Sequence, residues 1–483
     1  MTLLYDIIRE RSTDGYLVGG MVRNMLLSYP RGLDYDVAVD GDAGIVSRTL
    51  AARLGGSVFP LDRESGLYRV VKRGDGRCIT VDIAPYRGGS IDADLNARDF
   101  TVNAMAVPLN AFWGEQPVLY DPLGGERDCI RRVLRPVSEG ICDDDPLRGL
   151  RAVRLSAQYG LTMDDDLKTL IREKAPLLGR VAMERVRDEL FTILLCKESC
   201  RSIQLLNELG ILPSILPEMK GWNTLVVGDG FPFSHYASNG GGPEKGCTLF
   251  HHALDTVREA DLLLEGIKNA VPDHAALVRE HFDERIGGVS RRSLLLLAAL
   301  LHDAGKPHCM WVDERRVRFF GHDRLGGEMA QKAGRRLRLS RRATAMLARV
   351  VANHHRVFNL ASLERRTFRS RLRFFRSMGG GEGIDLLLLA LADARATRGG
   401  DDPALLSVVR EMVAFYYNTY TVEESEPLLT GSDVLKLFHL PEGAIIGRVL
   451  DEVVRAEEEG IVRNRDEAVR HIREWLSLEG ADR

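Results

Sequence analysis

The sequence predicts an α+β domain followed by all-helical regions, and three observations carry that prediction. Short β-rich runs alternate with helical stretches over residues 1 to about 140. From Pro146 to about Trp222 the pattern turns helical, with Arg, Leu and Glu dominating, and a second helical unit runs from about Cys247 to Arg398. Between them, Gly228–Gly246 is rich in Gly, Pro, Ser and Asn and reads as a linker. The division that follows is 1–142 for the α+β domain, 143–227 for a helical neck, 247–400 for a second helical domain and 401–483 for a helical tail.

The candidate strands are Tyr16–Val18, Asp34–Val39, Tyr68–Lys72, Ile79–Ile83 and Asn103–Val107. After the first comes Gly19-Gly20, then Met21 to Leu27, which is a strand, a glycine turn and a helix start. Bare amides at such a turn favour a triphosphate, and Arg23 adds a cation one helical turn in. On the second strand Asp34 and Asp36 are two residues apart, so their side chains share a face. Paired carboxylates of this kind hold divalent metal for in-line phosphoryl or nucleotidyl transfer, and hard oxygen ligands favour Mg²⁺. A glycine pair alone is usually just a tight turn, and a lone Asp-x-Asp is usually a solvated strand edge. Glycine turn, arginine and paired acids in this order are far more specific. Asp82 places a third acid on a candidate strand.

Composition sets outer bounds. The chain has 483 residues, 45% hydrophobic and 28% charged, ordinary values for a globular protein of about three domains. Leu294–Leu301 and Leu386–Leu391 are too short to span a bilayer and read as core helices. Seven scattered cysteines without a C-x-x-C pair, and an N-terminus unlike a signal peptide, fit a cytoplasmic protein with no membrane partner. The net charge of −3 argues against general nucleic-acid binding, but arginines cluster locally at 148–154, 335–342 and 365–376. For the last two clusters, RNA contact and an ordinary solvated helix face weigh equally.

Two further blocks extend the pattern: Arg98-Asp99 through Asn103, and Asp144-Asp145-Pro146-Leu147-Arg148 through Arg151 and Arg154. With these in order, residues 14 to 230 resemble the bacterial tRNA nucleotidyltransferases and poly(A) polymerases, the CCA-adding enzyme family. The resemblance implies a polymerase-β-like head that adds the 3′-terminal CCA of tRNA from CTP and ATP. It implies that Asp34 and Asp36 are the catalytic metal ligands, with Asp82 preparing the attacking hydroxyl. Gly19, Gly20 and Arg23 would lie at the triphosphate. Arg98, Asp99 and Asn103 would hold the sugar and phosphates. Asp145 and Arg148 would read the incoming base, supported by Arg151 and Arg154, and the run Met183–Leu190 would brace this element. Three residues apart on a helix, an Asp acceptor and an Arg donor lie side by side and can imitate a Watson–Crick edge. Cytosine and adenine each offer an amine donor and a ring acceptor, so one pair accepts both. The chain departs from the family at Asn24, Ala97 and Asp144, which leaves nucleotide preference open among CCA, CC-only, A-only and poly(A) addition.

The second helical unit carries His252, His302-Asp303, His322, His354-His355 and Asp393 in order. Over roughly residues 247 to 400 this resembles the HD phosphohydrolase domain. Adjacent residues on a helix point about 100° apart, so His302 and Asp303 can both reach one ion, with His252 and Asp393 completing the set. Such ligands suit Mn, Fe, Co, Ni or Zn. His322 with His354 or His355 is a candidate second position. A rival reading from another class is a metal phosphohydrolase whose N-terminal part merely binds nucleotide or RNA. Intact Asp34, Asp36 and Arg148 count against it.

Overall fold

The computed structural model describes residues 2–481 apart from 12–13, 31, 75, 112–117, 226–247, 313–316, 422–427, 441–442 and 463. The expected linker Gly228–Gly246 lies outside the described residues. The chain forms two compact units, Met1–Ile215 and Leu216–Arg483.

The first unit is built on a six-stranded mixed sheet in the order β3-β4-β5-β2-β1-β6. The strands are β1 Gly15–Val18, β2 Asp34–Val39, β3 Ser57–Asp62, β4 Leu67–Gly74, β5 Arg77–Pro85 and β6 Ala106–Pro108. Four of the five expected strands are present. The fifth is shorter than expected: Thr101–Asn103 is a 3-10 turn and β6 starts at Ala106. Asn103 there donates through its side chain to Asp99 Oδ1 (2.9 Å), the local bonding that draws Asn out of ladders. Strand β3 was not expected. It is exposed nearly throughout and contains Pro60, so it lacks the buried alternation of a strand; as a sheet edge it tolerates the proline.

Strand β2 runs parallel to β5, with Asp36 opposite Asp82. Parallel neighbours need a crossover, supplied here by the helix Ala43–Leu54 and the β3–β4 hairpin. Asp42 caps that helix by accepting from the Ile45 amide, and Gly55 ends it in the left-handed region at φ 61°. Val37, Ala38 and Val39 anchor β2 in the core, while Asp34 and Asp36 open to solvent at its start. Strand burial and carboxylate exposure thus divide one short strand between stability and chemistry. The rest of the unit is helical, including Arg148–Tyr159 and Met183–Leu194, which pack together.

In the second unit the helix Leu249–Glu265 packs on Arg291–Leu301 and Glu382–Arg398, and His322–Arg336 packs on Arg341–Ala352. Leu294–Leu301 and Leu386–Leu391 are buried, as their apolar runs predict. Between those two helices, Arg291 donates to Asp385 through Nη2 (2.7 Å), a buried charge pair inside the bundle. The tail has its own core of Leu429, Val434, Val449, Val453, Ala456, Val462, Ala468 and Ile472. Among the described residues, no helix is long and apolar enough to cross a membrane. Several arginines of the two later clusters are engaged within the unit: Arg336 with Glu218, Arg366 with Glu411 and Arg376 with Glu457. At these positions charge serves packing.

Candidate active sites: a carboxylate cavity and a histidine centre

In the first unit, Asp34, Tyr35, Asp36, Arg69, Thr80 and Asp82 line one cavity of about 270 Å³ at the open ends of β2 and β5. The period-2 argument holds: Asp34 and Asp36 share it. Asp82 joins them because the parallel register sets it beside Asp36. Arg69 clamps Asp82 with two hydrogen bonds, Nε to Oδ1 and Nη2 to Oδ2, both 2.7 Å. Sequence reading missed Arg69, since only the β4–β5 register reveals the pairing. Asp36 faces the cavity with protein packed around it. That desolvation, then the charge of Asp82, holds its carboxyl above the usual range, against the pull of Arg98 and Arg69. A crowded carboxyl raised in this way suits a divalent cation, which would relieve the repulsion.

Gly19 lies beneath this cluster at φ 73°. A Cβ there would come within 3.1 Å of both Asp36 Oδ2 and Arg98 Nη1, so backbone conformation and close approach both require glycine. Arg98 donates to Asp94 Oδ2 through Nε (3.0 Å) and Nη2 (2.8 Å). Arg23 is buried. It donates to Asn103 Oδ1 (2.6 Å) and to the Tyr159 hydroxyl (2.6 Å), and burial lowers its pKa. Tyr159, which lies 136 residues away in sequence, gave no signal there. Asp99 accepts from the Phe100 amide, Asn103 and Arg151 Nε (all 2.9 Å), and Arg151 Nη2 lies 2.8 Å from Oδ2 as an ion pair. Burial alone would raise the Asp99 carboxyl, but Arg151, Asn103 and the amide outweigh it and hold it below the ordinary range.

Asp145 and Arg148 do not share a helix, contrary to expectation. The helix begins at Arg148, and Asp145 precedes it in extended conformation, at φ −147° and ψ 101°. Pro146 follows Asp145 and disfavours helical backbone there. Asp145 Oδ1 accepts from the Leu147 amide (3.2 Å) and Oδ2 from Arg185 (2.7 Å). Arg148 donates to the carbonyls of Ala97 (3.1 Å) and Ile141 (3.4 Å). Arg154 donates to Glu189 (2.6 Å). The Met183–Leu194 helix therefore ties down both ends of this element through Arg185 and Glu189.

In the second unit the histidines and acids converge. His302 and Asp303 lie just past the end of the Arg291–Leu301 helix, not within it as expected, because Gly305 and Pro307 stop the helix. Two overlapping groups form, His252 with His302 and Asp303, and Asp303 with His322, His354 and His355. Asp303 belongs to both. Asp393 Oδ1 lies 3.2 Å from His252 Nε2. His302 Nδ1 faces the Ala299 carbonyl (2.7 Å), His322 Nδ1 that of Phe319 (2.6 Å) and His354 Nδ1 that of Val351 (2.7 Å). A carbonyl only accepts, so each Nδ1 carries its proton and donates it, and in the neutral ring Nε2 is then the lone pair. His302 Nε2 then meets His252 Nε2 at 3.2 Å, and His322 Nε2 meets His355 Nε2 at 3.1 Å. Each facing pair can hold a metal ion between its nitrogens or share a proton as an N–H···N hydrogen bond. Asp303 Oδ1 and His354 Nε2 are buried without a hydrogen-bond partner. Burial pushes His322 down to about 4, which keeps it neutral and ligand-ready. Burial alone would lower His302, but Asp303 holds it above the usual value. The donor set fits metal ions.

A mixed sheet carrying paired aspartates, followed by a helical neck and an HD-type centre, is the architecture of a nucleotidyltransferase with an appended metal domain. Residues 15–135 match the poly A polymerase head domain, 160–222 the probable RNA- and SrmB-binding site of polymerase A, and 249–397 the HD domain. The chain is 34% identical to the A-adding tRNA nucleotidyltransferase of Deinococcus radiodurans, over 95% of each chain. It is 30% identical to the CC-adding tRNA nucleotidyltransferase of Geobacter sulfurreducens, over 98% of this chain and 94% of that one. It shares the fold of a CCA-adding enzyme solved with CTP, at TM-score 0.64 and 21% identity, covering 98% and 94% of the two chains. The chain belongs to the tRNA nucleotidyltransferase and poly(A) polymerase family.

Proposed function

We propose that this protein adds nucleotides to the 3′ end of tRNA from CTP and ATP without a nucleic-acid template, building or repairing the terminal CCA. The observation that carries this is the convergence of Asp34, Asp36 and Asp82 on one cavity above Gly19. Asp34 and Asp36 would hold Mg²⁺, which supplies charge stabilisation at the transferring phosphoryl group. Asp82 lies across from Asp36 to accept the proton of the attacking 3′ hydroxyl, with Arg69 fixing its orientation. Gly19, Gly20, Arg23, Arg98, Asp99 and Asn103 form the nucleotide side. Asp145 and Arg148 read the base edge from two adjoining segments, held by Arg185 and the Ala97 carbonyl. Arg151 and Arg154 act from the same helix as Arg148.

The four-part division at 142/143, 227/247 and 400/401 and a cytoplasmic location belong to the same reading. His252, His302, Asp303 and Asp393 would hold a transition metal, and His322, His354 and His355 with Asp303 a second one. The HD domain then hydrolyses phosphate esters at RNA ends or serves only to shape the body that grips tRNA. Incubation with CTP, ATP and tRNA lacking its last three nucleotides tests the transferase, the expected product being the restored CCA end. A second reading has one observation in its favour: relatives matched over nearly their whole length are named A-adding or CC-adding. Parallel substrates lacking one or three nucleotides distinguish it, because a CC-adding enzyme stops short on the latter and an A-adding enzyme extends only the former.

A further inference from the structure

The ladder registers define one row of side chains across the sheet. Phe59 on β3 pairs with Arg69, Arg69 with Asp82, Asp82 with Asp36, and Asp36 with Val18. Ladder partners point to the same face, so Phe59, Arg69, Asp82 and Asp36 project together. The opposite face of the hairpin is covered by the Ala43–Leu54 helix. Val70 is buried there, and the Tyr68 ring packs so tightly on Gly44 that a Cβ would lie 2.9 Å away. The face carrying the acids is open, and Phe59 stands on it 41% exposed. Across three strand spacings Phe59 lies about 14 Å from Asp36, and about 10 Å from Asp82.

The chemistry assigns that side of the row. In-line displacement sets the attacking hydroxyl and the leaving pyrophosphate on opposite sides of the transferred phosphorus. Gly19 and Arg98 adjoin Asp36 from the β1 side, where the triphosphate would lie. The acceptor must then approach from the β5 side, past Asp82 and Arg69 toward Phe59. An exposed aromatic ring beside a guanidinium is the surface on which single-stranded nucleic acid stacks its bases.

We propose that Phe59 is the platform on which the terminal base of the acceptor RNA stacks, positioning its 3′ hydroxyl beside Asp82. This rests on the nucleotidyl-transfer reading. The test uses the full chain and tRNA truncated before its CCA, with 2-aminopurine as terminal base, whose fluorescence falls on stacking. Phe59→Ala should remove that quench and raise KM for the RNA by roughly 5- to 100-fold, with far smaller effects on kcat and on KM for CTP. Phe59→Tyr keeps the ring and should recover most of the RNA affinity; Phe59→Leu, apolar but not aromatic, should not. Quench and RNA KM unchanged in Phe59→Ala, full recovery by Leu, or a loss falling on CTP would overturn the proposal. Failure of the transfer reading shows differently, as no nucleotide incorporation by the wild-type chain, and the quench comparison still decides the platform.

Discussion

Arg151→Ala should loosen the attachment of the Arg148–Tyr159 helix to the sheet domain. Asp99 accepts three hydrogen bonds from three partners, and Arg151 supplies one of them together with an ion-pair contact through Nη2. The Asp99 side chain is only 8% exposed, so the variant leaves a buried carboxylate holding the Phe100 amide and Asn103 alone. Breaking a fully buried pair costs about 3–5 kcal/mol. Arg151 is itself 38% exposed, and solvent already screens part of the attraction. With two bonds retained, about 2 kcal/mol is the expected cost, or roughly 30-fold in a local opening equilibrium. Hydrogen exchange of the helix amides reads this directly. The sign of the pH dependence is fixed as well. Asp99 titrates low in the folded chain, so its stabilisation is complete above the unfolded pKa and lost as pH falls through the folded one. Removing Arg151 raises the folded pKa toward the unfolded value, so the acid-induced loss of protection should be smaller than in the wild type. A double-mutant cycle with Asp99→Ala closes the argument. Additive effects, or protection unchanged in Arg151→Ala, would refute the coupling.

Three more predictions concern the chemistry. Asp34→Ala and Asp36→Ala should each abolish nucleotide addition and leave thermal unfolding nearly unchanged, because both open to the cavity rather than the core; near wild-type addition by either would move the active site elsewhere. Arg148→Ala should weaken use of CTP and ATP by about 1–3 kcal/mol and admit GTP or UTP, and unchanged discrimination in single-nucleotide assays would count against base reading by protein. The double variant His302→Ala and Asp303→Ala should lose bound transition metal by mass spectrometry and any phosphohydrolase activity, while tRNA addition survives; retained metal would show that other residues bind it.

Local periodicity carried much of the first unit. Asp34 and Asp36 were legible because a strand puts alternate residues on one face, and Gly19 because a glycine turn between strand and helix has a recognisable order. What depended on register or distance was not legible. Arg69 reaches Asp82 across a hairpin, and Tyr159 reaches Arg23 from the far end of the domain. Strand β3 escaped because an exposed edge needs no apolar alternation. The helix boundaries failed where a single residue decides them. Pro146 pushes Asp145 out of the helix, and Gly305 ends the one before His302, so two angular arguments about shared helix faces did not apply. The chemical groupings nevertheless survived at the histidine centre, because turns delivered the same side chains to one place.

His302, His322 and His354 each donate Nδ1–H to the carbonyl three residues upstream, at Ala299, Phe319 and Val351. The tautomer of each ring is therefore chosen by its own stretch of chain and not by a distant partner. Tertiary packing then adds position, burial and the charge of Asp303. If the helices part, the rings separate yet each keeps its local Nδ1–H contact, and docking the helices again restores the donor set. The tautomer of each ring is thus set by three local turns, while its protonation is set by burial and by the Asp303 charge once the bundle closes.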